Sequence, residues 1–145
     1  MTIVACQAAL RARLRGMGRP HDKSAGICVL IVEDDDDSRE MLGEWICALG
    51  HRQLPASNAD EAMSHTLESK PELALIDLGL PGVDGYEVAR RLRAAVGGSM
   101  RLVALTGYSD GASRQTADAA GFDDFVVKPV LPEVLEGILR PNNLV

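Results

Sequence analysis

Four short stretches of the chain are apolar at every position: ICVLIV (27–32), LALI (73–76), LVAL (102–105) and FVV (125–127). None alternates apolar with polar residues, so each reads as a strand covered on both faces, as in a parallel sheet packed between helices. A weaker run, RQLP (52–55), contains Pro55, which cannot donate to a strand ladder, so it belongs at a sheet edge. Helical stripes fill the gaps. Met41, Leu42, Trp45, Ile46 and Leu49 form the first, closed by Gly50. Ala59, Ala62, Met63, Thr66 and Leu67 form the second; Val88, Ala89, Leu92 and Val96 form the third, with Arg90, Arg91 and Arg93 outside it. Residues 109–120 read as a fourth helix with almost no large apolar side chains. Pro132 opens a fifth, carried by Val134, Leu135, Ile138 and Leu139. The pattern predicts an α/β fold, a doubly wound (βα)5 unit with right-handed connections.

In such folds chemistry gathers outside the carboxyl ends of the strands. After ICVLIV come Glu33 and Asp34, after LALI comes Asp77, after LVAL comes Thr106 and after FVV comes Lys128. Three carboxylates, a hydroxyl and an ammonium are thereby expected on one edge of the sheet. Glu33 also opens a run of five acidic residues, Glu33 to Asp37. Two carboxylates about 5 Å apart repel by roughly 3 kcal/mol at an effective dielectric near 20. Carboxylates with no histidine or thiolate beside them suit a hard divalent cation, Mg²⁺ before Zn²⁺. A carboxylate can also attack phosphorus to give an acyl phosphate, with a cation, a lysine and a hydroxyl neutralising the charge that develops. Asp36 and Asp37 stand where the first helix starts and gain from its dipole, whereas Asp35 has no assigned role.

Composition removes several function classes. Among 145 residues the net charge is −6, and Trp, Tyr and Phe total five, a poor basis for direct nucleic-acid binding. No apolar run approaches the ~20 residues that span a bilayer, and no secretory signal opens the chain, so neither membrane insertion nor export is expected. Cys6, Cys28 and Cys47 show no paired spacing, and their odd number argues against a disulfide framework. The expected compartment is the cytoplasm. His21, His51 and His65 lack metal-ligand spacing. Residues 1–25 are basic (Arg11, Arg13, Arg15, Arg19 and Lys23 against Asp22) and rich in breakers, and read as a flexible tail or linker before a domain at 26–141.

The segments VLIVEDDDDSREML, LALIDLGLPGVDGYEVARRLR, VALTGYS and AGFDDFVVKPV resemble the receiver domain of two-component response regulators, in the order and spacing of that family. The resemblance covers about residues 26–140. It implies a flavodoxin-like sheet of order 2-1-3-4-5 and a switch driven by phosphorylation. It implies Asp77 as phosphoacceptor, with Asp34 and Asp77 as direct Mg²⁺ ligands, Glu33 acting through water and the Gly79 backbone carbonyl completing the set. Lys128, before a Pro129 whose bond is often cis in the family, would pair with the phosphoryl group. Thr106 would be the switch hydroxyl, and Phe125 takes the place of an aromatic switch residue. The implied donors are a sensor or hybrid histidine kinase or a histidine phosphotransfer protein. The implied output is binding of a downstream protein, with room for a homodimer through the fourth and fifth helices. The chain ends at RPNNLV, so no DNA-binding output domain is expected within it.

Rival readings fit less well. A calcium loop counted from Asp34 needs glycine at its sixth position, where Arg39 stands. A flavin or dinucleotide domain needs a phosphate cradle after the first strand, where five acids would repel it. A haloacid-dehalogenase-type aspartyl phosphatase needs a second aspartate two residues after the nucleophile, and Gly79 occupies that position. Asp84 is the expected cap of the third helix, rather than Asp77.

Overall fold

The computed structural model describes residues 26–107 and 114–140. Five strands, β1 (Cys28–Val32), β2 (Arg52–Ala56), β3 (Leu73–Asp77), β4 (Arg101–Thr106) and β5 (Asp124–Val127), form one parallel sheet in the order β2-β1-β3-β4-β5. Five α-helices connect and close it: α1 (Asp36–Ala48), α2 (Ala59–Ser69), α3 (Gly85–Val96), α4 (Arg114–Ala120) and α5 (Pro132–Ile138). The expected strand order and the edge position of the proline-containing strand are both observed. The N-terminal tail, and residues 109–113 of the expected fourth helix, lie outside the described residues.

The alternation of the pleat divides the apolar strands between two cores. Leu30 and Val32 of β1, Ala74 and Ile76 of β3, and Leu102 and Ala104 of β4 pack with Val88, Ala89 and Leu92 of α3 on the face that also carries α2 and α4. Val29 and Ile31, Leu73 and Leu75, and Val103 and Leu105 pack on the other face with α1 and α5, through Leu42, Ile46, Leu135 and Ile138. The three central strands are therefore buried on both sides, which is why they read as unbroken apolar runs. β5 departs from that expectation. It is an edge strand, only half-buried along most of its length, and Val127 is exposed.

The helix ends follow local side-chain chemistry. Asp35, Asn58 and Asp84 cap α1, α2 and α3, accepting from the amides of Ser38, Glu61 and Glu87. Asp35 thus has a definite role, and Asp84 takes the one expected. Pro132 begins α5. Three stripe residues depart from the expected burial: Met41, Leu67 and Val134 are exposed. Each lies at the margin of an apolar stripe, where helical periodicity alone cannot separate core from rim. Arg93 departs in the other direction. Its guanidinium donates to the carbonyls of Gly97, Met100 and Gly121 and pairs with Asp123 at 2.9 Å, tying α3 to the segment before β5. Cys28 is a buried free thiol. Cys47 is disulfide-bonded, contrary to the expectation drawn from the odd cysteine count.

The two-core arrangement yields a direct contrast. Leu92→Ala, at 1% exposure, is expected to cost about 2–5 kcal/mol in urea unfolding. Leu67→Ala, at 60% exposure, is expected to change stability by less than about 0.5 kcal/mol, although both leucines belong to predicted helical stripes.

Candidate functional site

Backbone hydrogen bonds continue past the strand ends and hold the polar residues at one level. Glu33 N–H donates to the carbonyl of Ala56 at the end of β2, and Leu78 N–H to Leu105 in β4. Lys128 N–H donates to Thr106 at 2.7 Å. Each residue that follows an apolar run is therefore fixed to a neighbouring strand rather than left on a loose loop. Asp77 and Thr106 are themselves the last residues of β3 and β4, and both are buried.

The expected convergence is present for most of the set. Lys128 Nζ lies 3.1 Å from Glu33 Oε1 and 3.2 Å from Asp77 Oδ1. Carboxylate oxygens of Glu33, Asp34 and Asp77 all lie within 4.8 Å of one another. Gly79 is brought beside them, its amide donating to Asp77 Oδ1 at 3.0 Å. The Thr106 hydroxyl donates to the Gly107 carbonyl. The Lys128–Pro129 peptide is cis. Phe125 stands apart from the polar group. It pairs in register with Ala104 and is half-buried against the α2–α3–α4 core.

The two buried carboxyls are shifted in opposite directions. Burial pushes the Glu33 carboxyl up to about 7, helped by its hydrogen bond to Asp77 and by that residue's charge, against the pull of Lys128. Burial would raise Asp77 as well. There the hydrogen bond with Glu33, the Gly79 amide and the Lys128 ammonium outweigh it and hold the carboxyl below its ordinary value. Burial also acts to lower Lys128, but the facing charges of Glu33 and Asp77 prevail and hold it above the usual range. The Asp77 carboxyl therefore faces the Lys128 ammonium at 3.2 Å with a lowered pKa.

A divalent cation fits this donor set. Among the described residues, Glu33 Oε2 is buried without a hydrogen-bond partner, and the grouped donors are carboxylate oxygens with no imidazole or thiolate among them. Asp34 is exposed and supplies the open side of the group. Such a set suits Mg²⁺.

Two features were not found by sequence reasoning. Arg39 reaches back from α1, donating to the backbone carbonyls of Glu33 at 2.9 Å and Asp34 at 3.4 Å while pairing with Asp36. Its position three residues after Asp36 was the available signal. A cleft of about 510 Å³ adjoins Glu33 and Lys128, walled by Met41, Trp45, Pro129 and Leu131. Met41 and Leu131 are exposed there, a feature that no motif marks.

The Glu33 shift makes a signed prediction for metal-free protein. A carboxyl raised in the folded state contributes stability that is fully present below its unfolded value near 4.5 and is lost as pH rises through about 7. In EDTA, urea unfolding between pH 5 and 8 is therefore expected to show falling stability, and Glu33→Gln to flatten that decline. An equally steep decline in the variant would assign the effect to another group.

With this geometry in place, comparison with known proteins is informative. Residues 29–140 match the family model described as the response regulator receiver domain. The transcriptional regulatory protein AfsQ1 of Streptomyces coelicolor is 35% identical over 112 residues, covering 77% of this chain and 49% of that protein. An uncharacterized 14.6 kDa protein of Leptolyngbya boryana is 36% identical over 105 residues, covering 72% of this chain and 80% of that one. The crystal structure of a putative response regulator from Chloroflexus aurantiacus superposes with a TM-score of 0.74 at 29% identity, over 82% of this chain and 98% of that one. The chain spans about half the length of the first curated relatives it matches. Sequence, sheet order and fold agree, and the chain belongs to the response regulator receiver domain family.

Proposed function

We propose that this chain is a phosphorylation-controlled signalling switch with Asp77 as the phosphoacceptor, working in the cytoplasm. The observation that carries the reading is a buried Asp77 at 3.2 Å from the Lys128 ammonium, within a group of three carboxylates. The donor is a phosphohistidine, on a sensor or hybrid histidine kinase or on a histidine phosphotransfer protein. An Asp77 oxygen attacks phosphorus, the phosphorus–nitrogen bond breaks and an acyl phosphate forms on the side chain. The apolar cleft beside Glu33 and Lys128, with Met41 and Leu131 exposed on its walls, supports a protein donor that docks next to the nucleophile.

Asp34 and Asp77, with Glu33 through water and the Gly79 carbonyl, are assigned to hold Mg²⁺, which when bound would neutralise negative charge on the transferring group. Lys128 pairs with the arriving phosphoryl oxygens, exchanging part of its contact with Asp77 for them. Thr106, buried at the end of β4, turns its hydroxyl towards the new oxygens, and Phe125 on β5 adjusts with it. The receiver unit spans 26–141 after the basic segment 1–25.

Output runs through the face formed by α4, β5 and α5 to a downstream protein, or to a second copy of the chain. Two observations support that route. Among the residues of α4 whose side chains are described, the buried ones are alanines, Ala117 and Ala120, which bury little apolar area and favour movement at low cost. Val127 on β5 and Val134 on α5 are exposed.

Labelling by a small acyl-phosphate donor in Mg²⁺ is expected for the intact protein and is expected to vanish in Asp77→Asn and in EDTA. Undiminished labelling of Asp77→Asn would overturn the assignment. Thr106→Ala is expected to retain labelling but to lose the phosphorylation-dependent change in amide hydrogen exchange along α4 and β5. A full response in that variant would remove Thr106 from the switch.

A further inference from the structure

Gly85 opens α3 and is buried, yet its φ is not among the positive values that favour glycine. Its small size must answer to space rather than to conformation. A β-carbon built there would lie 2.3 Å from the Asp77 carbonyl oxygen, 2.7 Å from the Leu78 α-carbon and 3.0 Å from the Asp77 carbonyl carbon. All three are backbone atoms, so no side-chain rotation can relieve the overlap. Other glycines near the site differ. A β-carbon at Gly79 would make only ordinary contact with Asp77 Oδ1 at 3.6 Å, and one at Gly82 would meet nothing within 4 Å.

The first turn of α3 therefore lies directly on the backbone of Asp77 and Leu78. Asp84 holds that turn in place through its cap to the Glu87 amide, and Gly85 N–H points to the Leu78 carbonyl at 3.5 Å. Glu33 and Asp34 follow β1 and Lys128 follows β5, whereas the close approach of Gly85 is to the backbone of Asp77 and Leu78. A push on the Asp77 backbone would move its carboxylate relative to partners that stay where they are.

We propose that Gly85 is a positioning residue for the acidic site: by letting α3 close onto the strand end, it sets the distance of the Asp77 carboxylate from Glu33, Asp34 and Lys128. The inference rests on the reading of Asp77, Asp34 and Glu33 as a cation site, and it adds a residue that touches neither cation nor phosphoryl group.

The test is calorimetric titration with Mg²⁺ alone, alongside labelling by a small acyl-phosphate donor and thermal unfolding. Gly85→Ala is expected to weaken Mg²⁺ binding by about tenfold or more and to slow labelling in parallel, as for other supports of metal ligands. Gly97→Ala is the stability control. Gly97 ends the same helix at φ +62° with nothing near its β-carbon, so alanine there strains the backbone far from the site. It is expected to lower the melting temperature while leaving the Mg²⁺ Kd unchanged.

Should Gly85→Ala fail to fold, Asp84→Ala decides the matter. It releases the first turn of α3 and is expected to weaken Mg²⁺ binding several-fold, about the lower end of the range for such supports. Asp84→Asn, an equally good cap, is expected to restore the wild-type Kd. A folded Gly85→Ala with wild-type Mg²⁺ affinity overturns the proposal, as does an Asp84→Ala protein with wild-type affinity. Wild-type protein that binds no Mg²⁺ overturns the cation-site reading itself, and this inference with it. Wild-type protein that binds Mg²⁺ but takes no label overturns only the phosphoacceptor assignment.

Discussion

Carboxylates at the carboxyl edge of the sheet repel one another, and the structure is arranged so that they cannot move apart. Lys128 bridges Glu33 and Asp77 at 3.1 and 3.2 Å, and a single ammonium cannot neutralise three acidic groups. At about 4 Å an isolated pair of unit charges interacts by roughly 4 kcal/mol at an effective dielectric near 20. Forces of that size would open a flexible loop. They do not open this edge because Glu33 and Asp77 emerge from strands buried on both faces, and the hydrogen-bond ladder extends through Glu33, Leu78 and Lys128. The two apolar cores thus serve the site by resisting its self-repulsion. The remaining negative charge is relieved in two ways: a proton favoured on Glu33, or a cation beside the buried Oε2.

The fold was legible because its constraints are local and repeated. A strand covered on both faces must be apolar at successive positions, as Val29 to Val32 and Leu73 to Ile76 are. An edge strand tolerates Pro55, and a helix start asks for Asp84 or Pro132. What stayed hidden depends on partners distant in sequence. Arg93 looked like one more cation on a polar helix face, because the carbonyl of Gly121 that it binds lies 28 residues away. Met41 and Leu67 fit the period of their helices but sit beyond the reach of the sheet.

The site divides in the same manner. Glu33, Asp77, Thr106 and Lys128 could be named because a parallel sheet brings the residue after each strand to a common edge. Their pKa shifts could not, since these come from burial and contact. Asp35 illustrates the ambiguity of a charge run. Among five consecutive acids it is the one that accepts from the Ser38 amide, a distinction set by backbone conformation at the helix entry. Gly85 lay in plain view within LPGVDGY, yet a glycine beside an aspartate reads as turn chemistry until the strand beneath it is in place.

Rigidity at the strand ends and looseness in one helix are complementary requirements for a switch. A phosphoryl group contributes a few charge-assisted hydrogen bonds, so it can bias only an equilibrium whose states differ by a few kcal/mol. Moving α3 would disturb Val88, Ala89 and Leu92, all essentially without exposure, and that cost exceeds what such bonds supply. Among the described side chains of α4 the buried ones, Ala117 and Ala120, bury far less surface, and β5 is a half-buried edge. Thr106 and Lys128 stand where β4 and β5 reach the acidic group, beside the half-buried edge strand β5. Packing therefore makes α3, whose first turn lies on the Asp77 backbone, costly to displace, whereas β5 is a half-buried edge.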